Sequence, residues 1–233
     1  MTVDWITFDC YGTLIDWERG ITDALLPHLL TGARPGSAKP SPAERRKIAQ
    51  RYIQVEADVE AEAYRRYSDV LDLAGRRLLD HLGAPLPKDA RSPLPPSLAQ
   101  WPPFPEVPAA LAELRRRGRK IAILSNVDRD LLRLSIAKLG TEPDLAITAE
   151  DCGSYKPAPG HWRMFAERSG AGPRNTIHVG ASQYHDMRPA AALGYRTVFI
   201  DRHGERLETS PTRVLRDLAP LPDTIDELER AVP

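Results

Sequence analysis

Short apolar runs alternate with helical patterns along most of this chain, and this alternation constrains the fold more than any other feature. Each run is three or four residues long, and the five runs are residues 5–8, 121–124, 145–147, 176–179 and 197–200. The helical patterns that precede or separate the later runs cover residues 107–117, 129–139, 161–168 and 184–193. Short apolar strands that alternate with helices are typical of a parallel sheet covered on both faces. The chain is therefore predicted to form an α/β fold with a Rossmann-like parallel sheet and right-handed crossovers.

A long stretch of different character separates the first apolar run from the second. Residues 17–30 and 41–82 place apolar and aromatic side chains at helical spacing, with a predicted loop over residues 32–42. Nine of the 22 prolines then fall between Pro85 and Pro108, a density that disfavours regular helices and central strands. We expect this proline-rich stretch to connect two structural units. The pattern predicts a core domain of residues 1–16 and 101–233, interrupted by a helical domain of residues 17–100.

The charge balance and the lack of long apolar runs argue against several classes of protein. The chain has 32 Lys and Arg against 32 Asp and Glu, whereas nucleic-acid-binding proteins concentrate positive charge to neutralise phosphates. No apolar run approaches the roughly 18 residues of a membrane span, and the N-terminus lacks the pattern of a signal peptide. Cys10 and Cys152 show neither metal-ligand spacing nor a disulfide framework. We therefore expect a cytoplasmic protein without nucleic-acid or membrane partners.

Polar residues follow several of the apolar runs, either directly or after a few residues. In chain order they are Asp9, Tyr11 and Thr13; Ser125 and Asn126; Lys156; and Ser182, Gln183 and Asp186. Each group alone has an ordinary structural explanation, because such residues also cap helices, close turns or lie in solvent. In an open parallel sheet, however, ligands bind at the carboxyl ends of the strands. Their order along the chain thus favours one shared site that contains two carboxylates and a lysine.

The four groups resemble, in order, the four motifs of the haloacid dehalogenase superfamily. The matching segments read FDCYGTL, LSN, YKP and GASQYHD, and the resemblance spans residues 5–202. The helical domain corresponds in position to the cap of that superfamily. The resemblance implies that Asp9 is a covalent nucleophile supported by Thr13. It also implies that Lys156 balances the charge around Asp9 and that Asp186 closes the site; a nearby cation favours the ionised, nucleophilic form of a carboxylate.

Two positions distinguish the branches of this superfamily. Its phosphatases usually carry a second aspartate two residues after the nucleophile, as the general acid for the leaving alkoxide, and this chain has Tyr11 there. A phenol is a poor substitute for a carboxylic acid. Phosphatases also place an acidic Mg²⁺ ligand directly after the glycine of the fourth motif, where this chain has Ala181. Halide leaves without a proton or a metal, so the resemblance is closest to the 2-haloacid dehalogenases. It implies a small anionic substrate and no cofactor.

The same resemblance implies a set of substrate contacts. These residues are Tyr11, Ser125, Asn126, Ser182, Gln183 and Arg51. Arg51 resembles the cap arginine that cradles halide, and the other interpretation is one of many surface arginines. The residues that depart from the usual dehalogenase pattern are Ala181, Gln183, Trp162 and His185. His185 either assists water activation or covers the site, while His178 is expected to pack in the core.

Two other functions stay open at this point. One is a phosphatase of atypical motif that uses Mg²⁺ and takes His185 or a cap residue as its acid. The other is a weakly catalytic protein that keeps the fold and binds a carboxylate ligand, because the fourth motif lacks the usual serine and asparagine. Members of the superfamily often dimerise through cap and core surfaces, so the resemblance points to a homodimer, although no heptad or apolar patch in the sequence predicts one.

Overall fold

The chain folds into two compact units. A computed structural model describes residues 2–30 and 41–231. We call Met1–Ile15 with Pro103–Pro233 the core unit, and Asp16–Pro102 the helical unit. Among the residues described, no helix is both long enough and apolar enough to cross a bilayer.

The core unit is built on a six-stranded sheet in which all neighbouring strands are parallel. The strands are β1 Trp5–Phe8, β2 Lys120–Ser125, β3 Leu145–Thr148, β4 Thr176–Gly180, β5 Arg196–Ile200 and β6 Arg213–Leu215. Their order is β3-β2-β1-β4-β5-β6, so β1 lies between β2 and β4. Every residue of β1 and β4 is buried, as expected for the central strands of a parallel sheet that is covered on both faces. The predicted α/β fold with a parallel sheet is confirmed.

The sixth strand is absent from the sequence prediction. β6 pairs with β5 through the partners Val198 and Arg213 and forms one edge of the sheet. Arg213 and Val214 are exposed. β6 has three residues, one of which is charged, so the sequence contains no apolar run there that would predict a strand. Short, charged edges also protect a sheet from pairing with other chains.

The helical unit is formed by helices that follow one another along the chain. Within its described residues these are α1 Trp17–Leu29, α2 Pro42–Glu62, α3 Tyr67–His81 and α4 Leu94–Ser97. The continuous helical pattern predicted for residues 41–82 is wrong in its middle, because the backbone becomes extended at Ala63 and α3 begins only at Tyr67. Of the loop predicted over residues 32–42, residues 32–40 lie outside the part of the chain that the structure describes.

The proline-rich stretch contains more helix than the sequence analysis predicted. Both α4 and the following helix, α5 Val107–Arg116, begin with proline in their first turn. The first residues of a helix have no carbonyl partner for their N–H groups, so the missing N–H of proline costs nothing there. The prediction that this stretch lacks regular helix is therefore wrong at its centre, where α4 forms, whereas α5 confirms the helix predicted over residues 107–117.

The remaining helices belong to the core unit. They are α6 Arg129–Ile136, α7 Ala149–Cys152, α8 Gly160–Ser169, α9 Arg188–Ala192 and α10 Leu221–Arg230. The helix predicted over residues 129–139 ends early, at Ile136. The helix predicted over residues 184–193 begins late, at Arg188, because residues 183–187 form a π-helical turn. The sequence analysis did not predict α7 or α10.

Close packing of Gly20 against Trp101 generates a prediction for the stability of the helical unit. The Trp101 ring is 2% exposed, and its Nε1 donates to Ser97 Oγ at 3.0 Å. A Cβ atom at Gly20 would overlap this ring. We expect Gly20→Ala to lower the free energy of unfolding by about 1 to 2 kcal/mol, because overpacking outweighs the better helix propensity of alanine.

Urea denaturation followed by circular dichroism measures this effect. Gly172→Ala is the matched control, because a Cβ atom there meets open space. An unchanged urea midpoint for Gly20→Ala, equal to that of the control, would contradict the packing argument.

Candidate active site

Asp9 follows β1 directly and lies at the carboxyl end of the sheet. Its backbone N–H donates to Val179 O at 2.9 Å, which continues the pairing of β1 with β4. The chain then turns at Gly12, whose φ of 93° lies in the left-handed region that favours glycine. This turn places Thr13 so that its buried Oγ1 donates to Asp9 Oδ2 at 2.8 Å. One oxygen of the Asp9 carboxylate is thereby held by a hydroxyl from its own loop.

Lys156 bridges the two carboxylates that the sequence analysis placed in the site. Its Nζ lies 2.9 Å from Asp9 Oδ1 and 2.6 Å from Asp186 Oδ1. Lys156 is 2% exposed, and Asp186 is fully buried. Burial acts to lower the pKa of Lys156, but the attraction of Asp186 and Asp9 outweighs burial and raises this pKa above its ordinary value. The ammonium group is therefore charged at neutral pH.

The two carboxylates respond differently to the same lysine. Burial acts to raise the pKa of Asp186, yet Lys156 and His178 hold it well below its ordinary value. For Asp9, burial raises the pKa and the charge of Asp186 adds to this effect. Lys156 and Thr13 oppose the rise only in part, so the pKa of Asp9 stays above the ordinary aspartate value. Asp186 is thus a permanent anion, and Asp9 is the carboxyl group of the pair that takes up a proton first.

Asp186 is fixed by the turn that follows β4. Its Oδ2 accepts a hydrogen bond from Ser182 N at 3.2 Å, and its Oδ1 lies 3.5 Å from His178 Nε2. A Cβ atom at Gly180 would approach the Asp186 carboxyl carbon to 2.6 Å. The glycine of the fourth motif is therefore required by close approach of the carboxylate to the backbone.

Ser125 and Asn126 lie at the end of β2, as predicted, but they differ in what their side chains do. The Asn126 amide forms a reciprocal pair with the backbone of Lys156, accepting from its N–H at 2.6 Å and donating to its carbonyl at 3.1 Å. Asn126 therefore positions Lys156, and its predicted contact with substrate stays a prediction. Ser125 Oγ is buried and has no hydrogen-bond partner among the described residues.

The side chains of Tyr11 and Gln183 are engaged in contacts that a substrate role does not require. Tyr11 Oη lies 2.8 Å from Ser135 Oγ, and burial raises its pKa well above the ordinary value. Gln183 Nε2 donates to Arg206 O at 2.9 Å, while its Oε1 accepts from the N–H of Glu208 at 2.7 Å. Gln183 thus anchors the loop after β5. The role in substrate binding expected for Gln183 gains no support from these contacts.

Three histidines surround the carboxylate pair, and burial keeps all three neutral near pH 7. The pKa of His161 falls to about 4, and burial also lowers the pKa values of His178 and His185. His161, which the sequence analysis missed, has its Nε2 3.0 Å from Ser125 O. His185 Nδ1 lies 3.2 Å from Ser182 Oγ. His178 lies in buried β4, as expected, but it also contacts Asp186.

Arg51 belongs to the helical unit. It lies on α2, where its side chain is exposed and its Nη1 donates to Gln54 Oε1 at 3.0 Å. This environment is that of a surface arginine. Its role as a halide cradle stays a prediction.

The residues present do not fit a Mg²⁺ site. Among the residues that the structure describes, no group of three or more His, Cys, Asp or Glu side chains is arranged to hold a metal ion. Ala181 offers no side-chain ligand, and the ammonium group of Lys156 lies between Asp9 and Asp186. Mg²⁺ prefers several oxygen ligands in octahedral geometry. We therefore derive no catalytic step through a metal.

Comparison with known proteins gives the family. A family model described as haloacid dehalogenase-like hydrolase matches residues 3–194, which include all four motifs. The chain belongs to the haloacid dehalogenase-like hydrolase family. The resemblance inferred from the motifs is thus confirmed.

Individual members of this family differ in chemistry. The chain is 36% identical over 123 residues to a phosphoserine phosphatase of Thermus thermophilus, a match that covers 51% of this chain and spans about half (49%) of that enzyme. It is 29% identical over 209 residues to an (S)-2-haloacid dehalogenase of Pseudomonas sp. (strain YL), covering 87% of this chain and 84% of that enzyme. A solved L-2-haloacid dehalogenase from Xanthobacter autotrophicus shares the fold, with a TM-score of 0.79 at 21% identity over the full length of both chains.

The Thr13 hydroxyl generates a prediction about the titration of Asp9. Its hydrogen bond stabilises the ionised carboxylate, so its loss favours the protonated form and raises the pKa of Asp9. We expect Thr13→Val to raise this pKa by about 1 unit, since a hydrogen bond to a charged group contributes about 1.5–3 kcal/mol and one unit corresponds to about 1.4 kcal/mol. A pH titration of the Asp9 carboxyl carbon by NMR measures the shift, with the signal assigned from Asp9→Asn.

Thr13→Ser retains the hydroxyl and is the matched control, with a pKa close to that of the unmodified protein. If Thr13→Val and Thr13→Ser titrate alike, the hydroxyl does not support the charge of Asp9.

Proposed function

We propose that this protein hydrolyses the carbon–halogen bond of short 2-haloalkanoic acids, with the (S)-2-haloacids as the substrate class and Asp9 as the nucleophile. The observation that carries the proposal is the bridge from Lys156 to Asp9 and Asp186. The ammonium group of Lys156 supplies the positive charge that a site with two carboxylates and an anionic substrate needs. The match to an (S)-2-haloacid dehalogenase, which covers 87% of this chain and 84% of that enzyme, supports the same chemistry.

In the first step, one Asp9 carboxylate oxygen attacks C2 of the haloacid from the side opposite the halogen. A carbon–oxygen bond forms, the carbon–halogen bond breaks, and halide leaves with the bonding electrons, which inverts C2. Lys156 and Thr13 hold the carboxylate in a fixed orientation for this attack. The product is an ester of Asp9.

In the second step, water attacks the ester carbonyl carbon, Cγ of Asp9. The bond from Cγ to the substrate oxygen breaks, one proton of the water passes to that oxygen, and the other leaves as the carboxylate of Asp9 re-forms. Asp9 is uncharged while it is esterified, so Lys156 then relies on Asp186 for its counter-charge. The low pKa of Asp186 ensures that this counter-charge is present. The pair of Lys156 and Asp186 thus stays in place through both steps.

Protonation states around Asp9 favour halide as the leaving group. The buried histidines are neutral, Tyr11 has a raised pKa, and Lys156 holds its proton tightly. An alkoxide leaving group needs a general acid that releases a proton to it; a neutral histidine has no imidazolium proton to give, and Tyr11 and Lys156 hold theirs tightly because their pKa values are raised. Halide departs without a proton.

The buried Ser125 hydroxyl, which has no hydrogen-bond partner within the described part of the chain, is the candidate group for binding the substrate carboxylate. We propose that Ser125 Oγ, together with backbone amides at the end of β2, binds the carboxylate of the haloacid. The helical unit corresponds in chain position to the cap of the superfamily, and Arg51 stays the candidate for the halide cradle. We further propose that the protein acts in a reducing cytoplasm, because Cys10 and Cys152 are unpaired.

We also propose that the protein forms a homodimer. Size-exclusion chromatography with light scattering tests this oligomeric state.

A phosphatase activity is the second candidate, because the Thermus relative is a phosphoserine phosphatase. The lack of a fitting Mg²⁺ site weighs against this candidate.

Parallel assays separate these functions. The purified protein is incubated with each enantiomer of 2-chloropropionate and with p-nitrophenyl phosphate, in Mg²⁺ or in EDTA, and released chloride and phosphate are measured. We expect chloride release from the (S) enantiomer that EDTA does not change. Phosphate release that depends on Mg²⁺ would overturn the proposal. Carboxylate binding without turnover of any substrate would favour a binding protein.

Replacement of Asp9 tests its role as the nucleophile. We expect Asp9→Asn to lower chloride release by about 10³-fold or more, because loss of a nucleophile removes the covalent route. Asp58→Asn, which changes an exposed aspartate of α2, is the matched control and should retain full activity. Turnover by Asp9→Asn at the rate of the control would show that the nucleophile is another residue.

A further inference from the structure

Arg202, which the sequence analysis did not single out, lies just after β5 and reaches the loop that carries the nucleophile. Its Nε donates to Gly12 O at 3.1 Å, and its Nη2 donates to Thr13 O at 2.8 Å. The same Nη2 lies 2.8 Å from Glu106 Oε1. The side chain of Arg202 is 12% exposed. We call these contacts the Arg202 clamp.

The platform that carries Arg202 is itself well fixed. The N–H of Asp201 donates to Leu215 O at 2.8 Å, which continues the pairing of β5 with β6. Asp201 Oδ1 accepts from the N–H groups of Gly204 and Glu205 at 2.7 and 2.9 Å. Hydrogen bonds on both sides of Arg202 therefore hold its backbone at the end of the sheet.

The geometry of the clamp requires a guanidinium group. The Arg202 Cζ lies 3.4 Å from the centroid of the Phe104 ring, so the planar group stacks on the ring while its edge donates to two carbonyls and a carboxylate. A lysine ammonium is a compact charge and cannot stack and donate along an edge in this way. Substitution by lysine thus keeps the charge but removes the clamp.

The clamp joins two segments that are distant in sequence. Each segment lies next to a point at which the chain passes between the core unit and the helical unit. Gly12 and Thr13 precede the point at which the chain leaves the core unit, after Ile15, and Phe104 and Glu106 follow the point at which it returns, at Pro103. Backbone hydrogen bonds also connect these segments, from Phe104 N to Leu14 O at 3.0 Å and from Asp16 N to Pro102 O at 2.9 Å. Arg202 contacts both segments from a third element.

We infer that Arg202 is a positioning residue for the nucleophile: its contacts with the carbonyls of Gly12 and Thr13 hold the turn from which Thr13 donates to Asp9. Without them the Thr13 hydroxyl loses its fixed orientation, and Asp9 loses a hydrogen bond on Oδ2. The consequence for catalysis rests on the proposed role of Asp9, while the consequence for the carboxyl group itself does not.

The experiment follows Asp9 directly and needs no substrate. We expect Arg202→Lys to raise the pKa of Asp9 by about 0.5 to 1 unit in an NMR titration of its carboxyl carbon, in the direction expected for Thr13→Val. In a protein that already carries Thr13→Val, Arg202→Lys should cause no additional shift, because both changes remove the same hydrogen bond. Arg213→Lys, on the exposed edge strand, is the matched control and should leave the titration unchanged.

Two results would overturn the inference. One is an Asp9 titration in Arg202→Lys equal to that of the unmodified protein; the other is a shift of the same size with and without Thr13. Thermal unfolding checks that Arg202→Lys is folded, and Glu106→Gln, which removes the counter-charge of Arg202, provides a second variant with a smaller expected shift in the same direction.

Haloacid turnover provides the link to catalysis. We expect Arg202→Lys to lower kcat by about 10- to 100-fold with little change in KM, since loss of orientation affects the reacting group more than binding. If the unmodified protein turns over no haloacid, the proposed function fails, and the titration still decides the role of Arg202.

Discussion

A single ammonium group lies between two buried carboxylates, and the rest of the site depends on it. Lys156 brings one positive charge to Asp9 and Asp186, which lie at the ends of the neighbouring strands β1 and β4. Removal of this lysine would leave two like charges in a buried environment, where an unpaired charge is very costly. The reciprocal hydrogen bonds between the Asn126 amide and the Lys156 backbone fix the position from which this ammonium group extends.

The parallel sheet explains why residues far apart in sequence converge. All six strands run in the same direction, so the residues that follow β1, β2 and β4 meet at one edge. Burial of β1 and β4 on both faces favours short, mostly apolar runs, and the two carboxylates come only after these runs end. The same physical requirement therefore produces both the pattern of the sequence and the place of the site.

The burial of the strands also determines how much of the fold and of the site could be predicted from the sequence. The five apolar strands and the group of Asp9, Thr13, Lys156 and Asp186 follow from patterns that burial imposes on the sequence. The direction of an individual polar side chain follows from its neighbours in space, which no pattern records. Gln183 anchors a loop and Asn126 holds a backbone for this reason, although their positions in the motifs suggested substrate contacts. Arg202 was not predicted, because two of its partners are backbone carbonyls and the other two, Phe104 and Glu106, are far from it in sequence.

The electrostatics of the site limit the chemistry it can perform. Asp186 has too low a pKa to be a strong base, the three histidines are neutral, and Lys156 retains its proton. Such a set orients a nucleophile and stabilises charge, but it offers no ready proton donor. A reaction whose leaving group departs as a stable anion makes the least demand on proton transfer. Attack by water on the ester needs a base, and Asp186 and the three histidines, whose pKa values are all lowered, are each weak bases, so hydrolysis of the ester is the harder step. Accumulation of the Asp9 ester during turnover, visible by mass spectrometry as the mass of the intact protein plus that of the bound acid, is the state that this imbalance favours.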